Sequence, residues 1–158
     1  MSFNKEEYQI SSFLNEITER QIAFLDQENT DGESWDYYCN GQVIKATVFR
    51  NTISGSVRDL LQEFEIKISV DDNEIHSSCS CGSKEAVCKH VISFLYSWVR
   101  DREGFVNVAN VMEKLHDMDK GELILLIERM LEDQPANVRY MKKIDYEIDE
   151  YDFDDFSE

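Results

Sequence analysis

Apolar positions in the first part of the chain recur at helical spacing. Ile10, Phe13, Leu14, Ile17, Phe24 and Leu25 fall near i, i+3, i+4, with Glu6, Glu7, Glu16 and Glu19 on the other side, so the pattern predicts a helix over residues 5–28. The cluster Asn29-Thr30-Asp31-Gly32-Glu33-Ser34 then turns the chain. After it the period drops to two. Trp35, Tyr37 and Tyr38 open a β region, and Asn40-Gly41 is a turn signal. Over residues 42–49, Val43, Lys45, Thr47 and Phe49 oppose Ile44, Ala46 and Val48. Residues 53–57 predict a second strand, in which Gly55 marks a bulge or a bend. Phe64, Ile66, Ile68 and Val70 alternate cleanly with Glu65, Lys67 and Ser69. Asp71-Asp72-Asn73 turns the chain, and residues 74–78 return as the strand that delivers Cys79. Residues 58–62 break the strand pattern and read as a loop or a helical turn.

Helical periodicity resumes over residues 87–102. Val91, Ile92, Phe94, Leu95, Trp98 and Val99 make a wide apolar arc, suited to packing on the sheet and on a second helix. Arg100 and Arg102 lie near its C-terminal end, as the helix dipole favours. Val108, Val111, Met112 and Leu115 form a short amphipathic piece. Asp119-Lys120-Gly121-Glu122 resembles a capping box ahead of Leu123, Ile124, Ile127, Met130 and Leu131. Pro135, the only proline, suits the first turn of a last short helix, with Val138 and Met141 facing inward. A helical hairpin docking on the preceding unit is expected. The fold class is therefore α+β: an N-terminal helix over 1–34, a small antiparallel sheet with its following helix over 35–102, a helical segment over 103–143, and a tail over 144–158.

Composition changes this picture mainly through charge. A chain of 158 residues, 42% hydrophobic, suits one domain or a core with two appendages. No run approaches the roughly 20 apolar residues of a membrane span. The opening residues lack the layout of a signal peptide. A cytoplasmic, reducing setting with no membrane partner is expected. The net charge of −17 argues against a strong basic footprint, and it is unevenly spread. Residues 45–102 carry 8 acidic and 8 basic side chains, whereas residues 144–158 carry 8 acidic and none basic. In that tail, acid alternates with Ile144, Tyr146, Ile148, Tyr151, Phe153 and Phe156. Acid this dense predicts a solvated, disordered segment. Its aromatics offer two sharper roles: docking on a partner, or covering the chain's own basic surface as a nucleic-acid mimic.

Candidate chemistry is concentrated in twelve residues. Cys79 and Cys81 lie two apart, and six residues later come Cys88 and His90. Three thiols and an imidazole are the donor set of a closed structural Zn²⁺ site. The first pair shares a face of a regular strand. The second pair fits a helix start, where the dipole favours thiolate. Gly82 supplies the sharp exit after Cys81. Three thiolates and a neutral imidazole around zinc carry formal charge −1, which Lys84 and Lys89 stand ready to offset. A reducing compartment disfavours a disulfide, and an iron–sulfur cluster has no other support in the sequence. Cys39 reads as a small buried residue, His76 as a less well-spaced substitute for His90, and His116 as an exposed side chain.

The pattern Cys79-x-Cys81-x6-Cys88-x-His90 resembles the SWIM-type zinc finger, whose signature is CxC…CxH. The resemblance covers about residues 35 to 100, including the hairpin before the ligands and the apolar helix after them. In the recombination-mediator subgroup an alanine stands three residues after the histidine; here it is Ser93. The resemblance implies one structural zinc ion and a module that binds DNA or other proteins and does no chemistry itself.

Two functions are expected from this. The first is a non-enzymatic protein–protein interaction adaptor, motivated by net acidity and the aromatic-acidic tail. The alternative is a nucleic-acid-binding accessory factor of recombination or transposition, contacting phosphates of DNA or RNA through Lys45, Arg50, Arg58, Lys67, Lys84, Lys89, Arg100 and Arg102. Catalysis finds little support. Four good donors fill a zinc shell that a catalytic site would leave open. The sequence contains no glycine-rich phosphate loop, HExxH or nucleophile elbow, so no small-molecule substrate is expected.

Overall fold

The structure is a computed structural model that describes residues 3–27, 32–83 and 87–143; of residues 142 and 143 it describes the backbone only. It is a mixed α+β fold. The chain divides into two compact units, residues 1–113 and 114–158.

The first unit is built on a meander. Strands β1 (Val43–Phe49), β2 (Thr52–Asp59), β3 (Gln62–Asp71) and β4 (Glu74–Cys79) pair antiparallel in sequence order. A short β5 (Val106–Asn107) pairs parallel with β1, giving the order β4-β3-β2-β1-β5. The turn at Asp72 and Asn73 has φ of 48° and 64°, the two left-handed residues of a tight hairpin. Alternation divides the sheet cleanly. Ile53, Val57, Ile66, Ile68 and Val70 are buried, while Arg58, Glu63, Glu65 and Lys67 are exposed.

Helix α4 (Lys89–Arg100) joins these residues in one core through Val91, Ile92, Phe94, Leu95 and Trp98. Full burial of side chains of this size contributes about 1.5–3 kcal/mol each. Gly55 serves this packing. Phe94 covers it, and the opposing β1 strand shifts register between Ile44 and Thr47, where Lys45 takes φ 55°. The expected bulge is therefore real, but it lies in the partner strand, and Gly55 makes room for it.

Three expectations are corrected. The helix expected over 5–28 is a 3-10 turn (Lys5–Tyr8), α1 (Ser12–Glu16) and α2 (Glu19–Leu25). Thr18 and Gln21 form a capping box that restarts the helix, and the Ser11 N–H donates to the Arg50 carbonyl, drawing the segment to the sheet. Trp35, Tyr37 and Tyr38 do not open a strand. They lie on α3 (Glu33–Cys39), which starts at Gly32 with φ 75°. Residues 58–62 are neither loop nor helical turn: β2 runs on to Asp59, β3 begins at Gln62, and Leu60-Leu61 is the connection.

Helices α5 (Val108–Asp117) and α6 (Lys120–Asp133) follow. The capping box of Asp119 and Glu122 is present, with both bonds at 2.9 Å. No residue of α6 is buried. Pro135 opens a 3-10 segment (Pro135–Lys143) whose Asn137 side chain donates to the Met130 carbonyl. Among the described residues, no helix is long and apolar enough to cross a membrane. The expected tail, residues 144–158, lies outside the described residues.

Candidate metal centre

The end of β4 and the start of α4 bring four donors together. Cys79 is the last residue of β4, and Cys81 follows in the turn. Gly82, at φ 70°, reverses the chain as its lack of a β-carbon allows. Cys88 is the N-cap of α4, and His90 is its second residue. One ligand atom from each of Cys79, Cys81, Cys88 and His90 lies within 4.8 Å of the others. Cys79 Sγ is 3.8 Å and Cys88 Sγ 4.0 Å from His90 Nδ1. Bonds of about 2.3 Å to sulfur and 2.0–2.1 Å to nitrogen give a tetrahedron with edges of about 3.5–3.8 Å, and these separations approach it. The donor set therefore fits one metal ion of thiolate and imidazole preference.

Burial works against leaving these thiols alone. It pushes Cys79 up to about 12 and raises Cys88 as well, because thiolate is poorly solvated there. A cation among the sulfurs reverses that balance. Ser93, fully buried, donates its hydroxyl to the His90 carbonyl at 2.7 Å, so the hydroxyl is satisfied within the first turns of α4.

His90 is fixed on every side. Its ring stacks on Phe64 with centroids 4.6 Å apart and meets Tyr37 at 5.4 Å. Nδ1 faces the sulfurs, and Nε2 lies 3.1 Å from Asp59 Oδ2. The same oxygen accepts from the Tyr37 hydroxyl at 2.7 Å. The hydrogen bond from His90, then that from Tyr37, hold the Asp59 carboxyl below its usual range. Lys89 donates to Glu33 at 2.5 Å and lies over the Tyr37 ring at 5.5 Å, tying α3 to the start of α4. The Glu33 hydrogen bond raises the Lys89 ammonium above its ordinary value.

The four sequence-predicted metal ligands thus converge. Of the eight candidate phosphate contacts, six are engaged by their own chain. Lys45 and Arg58 both pair with Glu63, at 2.7 and 3.4 Å. Lys89 pairs with Glu33, and Arg100 pairs with Glu19. Arg102 donates to Asn15 and the Trp98 carbonyl, and Arg50 donates to the Glu7 carbonyl and lies over Tyr8 and Phe49. Lys67 alone among the described members shows no such contact, and Lys84 lies outside the described residues. Cys39, expected to be buried, is exposed as the last residue of α3. His76 stands apart from the donor group, 4.0 Å from Glu74, and His116 is exposed.

Sequence reading missed Asp59, Tyr37 and Phe64 as parts of the site. A signal for Asp59 existed. It continues the series Ile53, Gly55, Val57 on the inward side of β2, where a carboxylate needs a partner. No family model matches the chain, and neither the curated proteins nor the solved structures contain a match to it.

Proposed function

We propose that Cys79, Cys81, Cys88 and His90 bind one structural Zn²⁺ in a centre of the SWIM type, and that the protein is a non-enzymatic adaptor between proteins. The convergence of three sulfurs and one imidazole nitrogen within 4.8 Å supports the metal. Such a shell is full, so zinc would contribute by clasping β4 to α4. Thiolate ligands suit a reducing compartment such as the cytoplasm.

The adaptor reading is carried by Leu60 and Leu61. These residues are 90% and 102% exposed at the tip of the β2–β3 hairpin, next to Asp59. Leu60 holds φ 56°, a conformation that glycine or asparagine would adopt more easily. Neither core packing nor turn geometry calls for two leucines there, and a protein partner would give them a contact. The nucleic-acid alternative is less well supported, because four of its eight candidate cations already face carboxylates of their own chain.

Native purification of the full chain followed by mass spectrometry tests the reading. Zinc and a stoichiometric protein partner are expected, with the partner lost from Leu60→Ser, Leu61→Ser. Tight, steeply salt-dependent binding of DNA or RNA with no protein recovered would overturn it.

A further inference from the structure

We infer that Asp59, seated by Tyr37, is the positioning residue of the metal centre: it holds the proton on His90 Nε2, so that Nδ1 is the donor aimed at the three sulfurs. This rests on the zinc reading and adds to it which imidazole nitrogen binds and what keeps it there.

The geometry leaves His90 one free nitrogen. Its side chain is only 4% exposed, so a protonated Nε2 needs a protein acceptor. Asp59 Oδ2 provides it at 3.1 Å, on the side of the ring away from the sulfurs. The carboxylate is itself held. Tyr37 donates to the same oxygen at 2.7 Å, and the side chain is 22% exposed at the last position of β2. Phe64, two residues into β3 from Gln62, supplies the face on which the ring lies. A carboxylate bonded to the remote nitrogen of a ligand histidine fixes its tautomer and makes the ring a better donor. The opposing possibility is an ordinary ion pair between Asp59 and a protonated His90, serving stability alone. Then Nδ1 would carry a proton facing the sulfurs and would not bind metal.

Zinc affinity of the full chain is measured by competition with a chromophoric chelator, and His90 ring nitrogens are followed by ¹⁵N NMR. Wild type is expected to show Nδ1 metal-bound and Nε2 protonated. Asp59→Ala should bind zinc about 10–100-fold more weakly. Asp59→Asn keeps an acceptor without the charge and should fall between; it carries the test if Asp59→Ala fails to fold. Cobalt substitution should still show thiolate charge-transfer bands in both variants, since the sulfurs are untouched. If wild type takes up no zinc, the underlying metal reading fails. If wild type binds zinc but the variants bind within twofold of it, or if Nε2 is the metal-bound nitrogen, the assignment to Asp59 is overturned.

Discussion

The ring of Phe94 occupies the space a side chain at position 55 would need. A β-carbon on Gly55 would lie 2.8 Å from Phe94 Cε2 and 2.9 Å from the Ile44 carbonyl oxygen. The ring could tilt, but the backbone oxygens of Ile44 and Lys45 cannot easily retreat, because the β1 register shift sits there. Gly55→Ala is therefore expected to destabilise the protein by about 1–3 kcal/mol, as overpacked cores do. Urea denaturation monitored by tryptophan fluorescence measures it. An unchanged midpoint would show that α4 does not press on the sheet at this point.

A second contact anchors the N-terminal segment. The Trp98 indole N–H donates to the Leu14 carbonyl at 2.8 Å in a buried setting. Trp98→Phe keeps most of the apolar bulk but leaves that carbonyl unpaired, at a cost of about 1–3 kcal/mol. Faster amide exchange confined to α1 and α2, together with this loss, is the expected signature. Equal acceleration throughout the sheet would assign Trp98 to the core alone.

The sequence foretold the sheet and α4 because their periods are simple. Ile66, Ile68 and Val70 alternate against polar neighbours, and the sheet buries that face. The metal donors were readable because Cys79 and Cys81 on a strand end and Cys88 and His90 on a helix start need only local geometry. The N-terminal segment was misread because Ile10 to Leu25 keep helical spacing across two breaks, and only Thr18 with Gln21 marks a restart. Trp35, Tyr37 and Tyr38 favour strands by residue type. Their separate attachments, to Tyr96, Asp59 and Asp101, point in the different directions a helix provides. Such long-range partners leave no local periodicity, and the same holds for Asp59 and His90, which are 31 residues apart.

Tyr38 gives an alkaline signature. Its hydroxyl donates to Asp101 at 2.7 Å, and that bond pushes the phenol up to about 12 from an ordinary value near 10. The folded form thus keeps its proton where the unfolded chain loses it. The stabilisation is complete below about pH 10 and is lost as pH rises towards about 12. Tyr37 and Tyr96 are raised as well by burial, so absorbance at 295 nm should show a late-titrating phenol fraction that shrinks in Tyr38→Phe. Stability of that variant should fall less between pH 9.5 and about 11.5 than that of wild type. Identical phenol titrations would place Tyr38 in water.

Substitutions in the Leu60-Leu61 turn test the proposed partner binding apart from folding. Leu60→Gly relieves a left-handed leucine and should leave stability unchanged or raise it by up to about 1 kcal/mol. Zinc affinity should not move, because both leucines are exposed to solvent and neither is among the four donors. Partner capture should drop with Leu60→Gly, Leu61→Ser. A fall in thermal stability with capture intact would return these leucines to a structural role.

Metal content of the freshly purified full chain bears on all of this at once. Elemental analysis should find one zinc per chain, and removing it with a chelator should loosen the junction of β4 and α4 and lower the unfolding temperature. A preparation free of transition metal, whose fold and melting are indifferent to chelator and to added zinc, would contradict a metal clasp between Cys79, Cys81, Cys88 and His90.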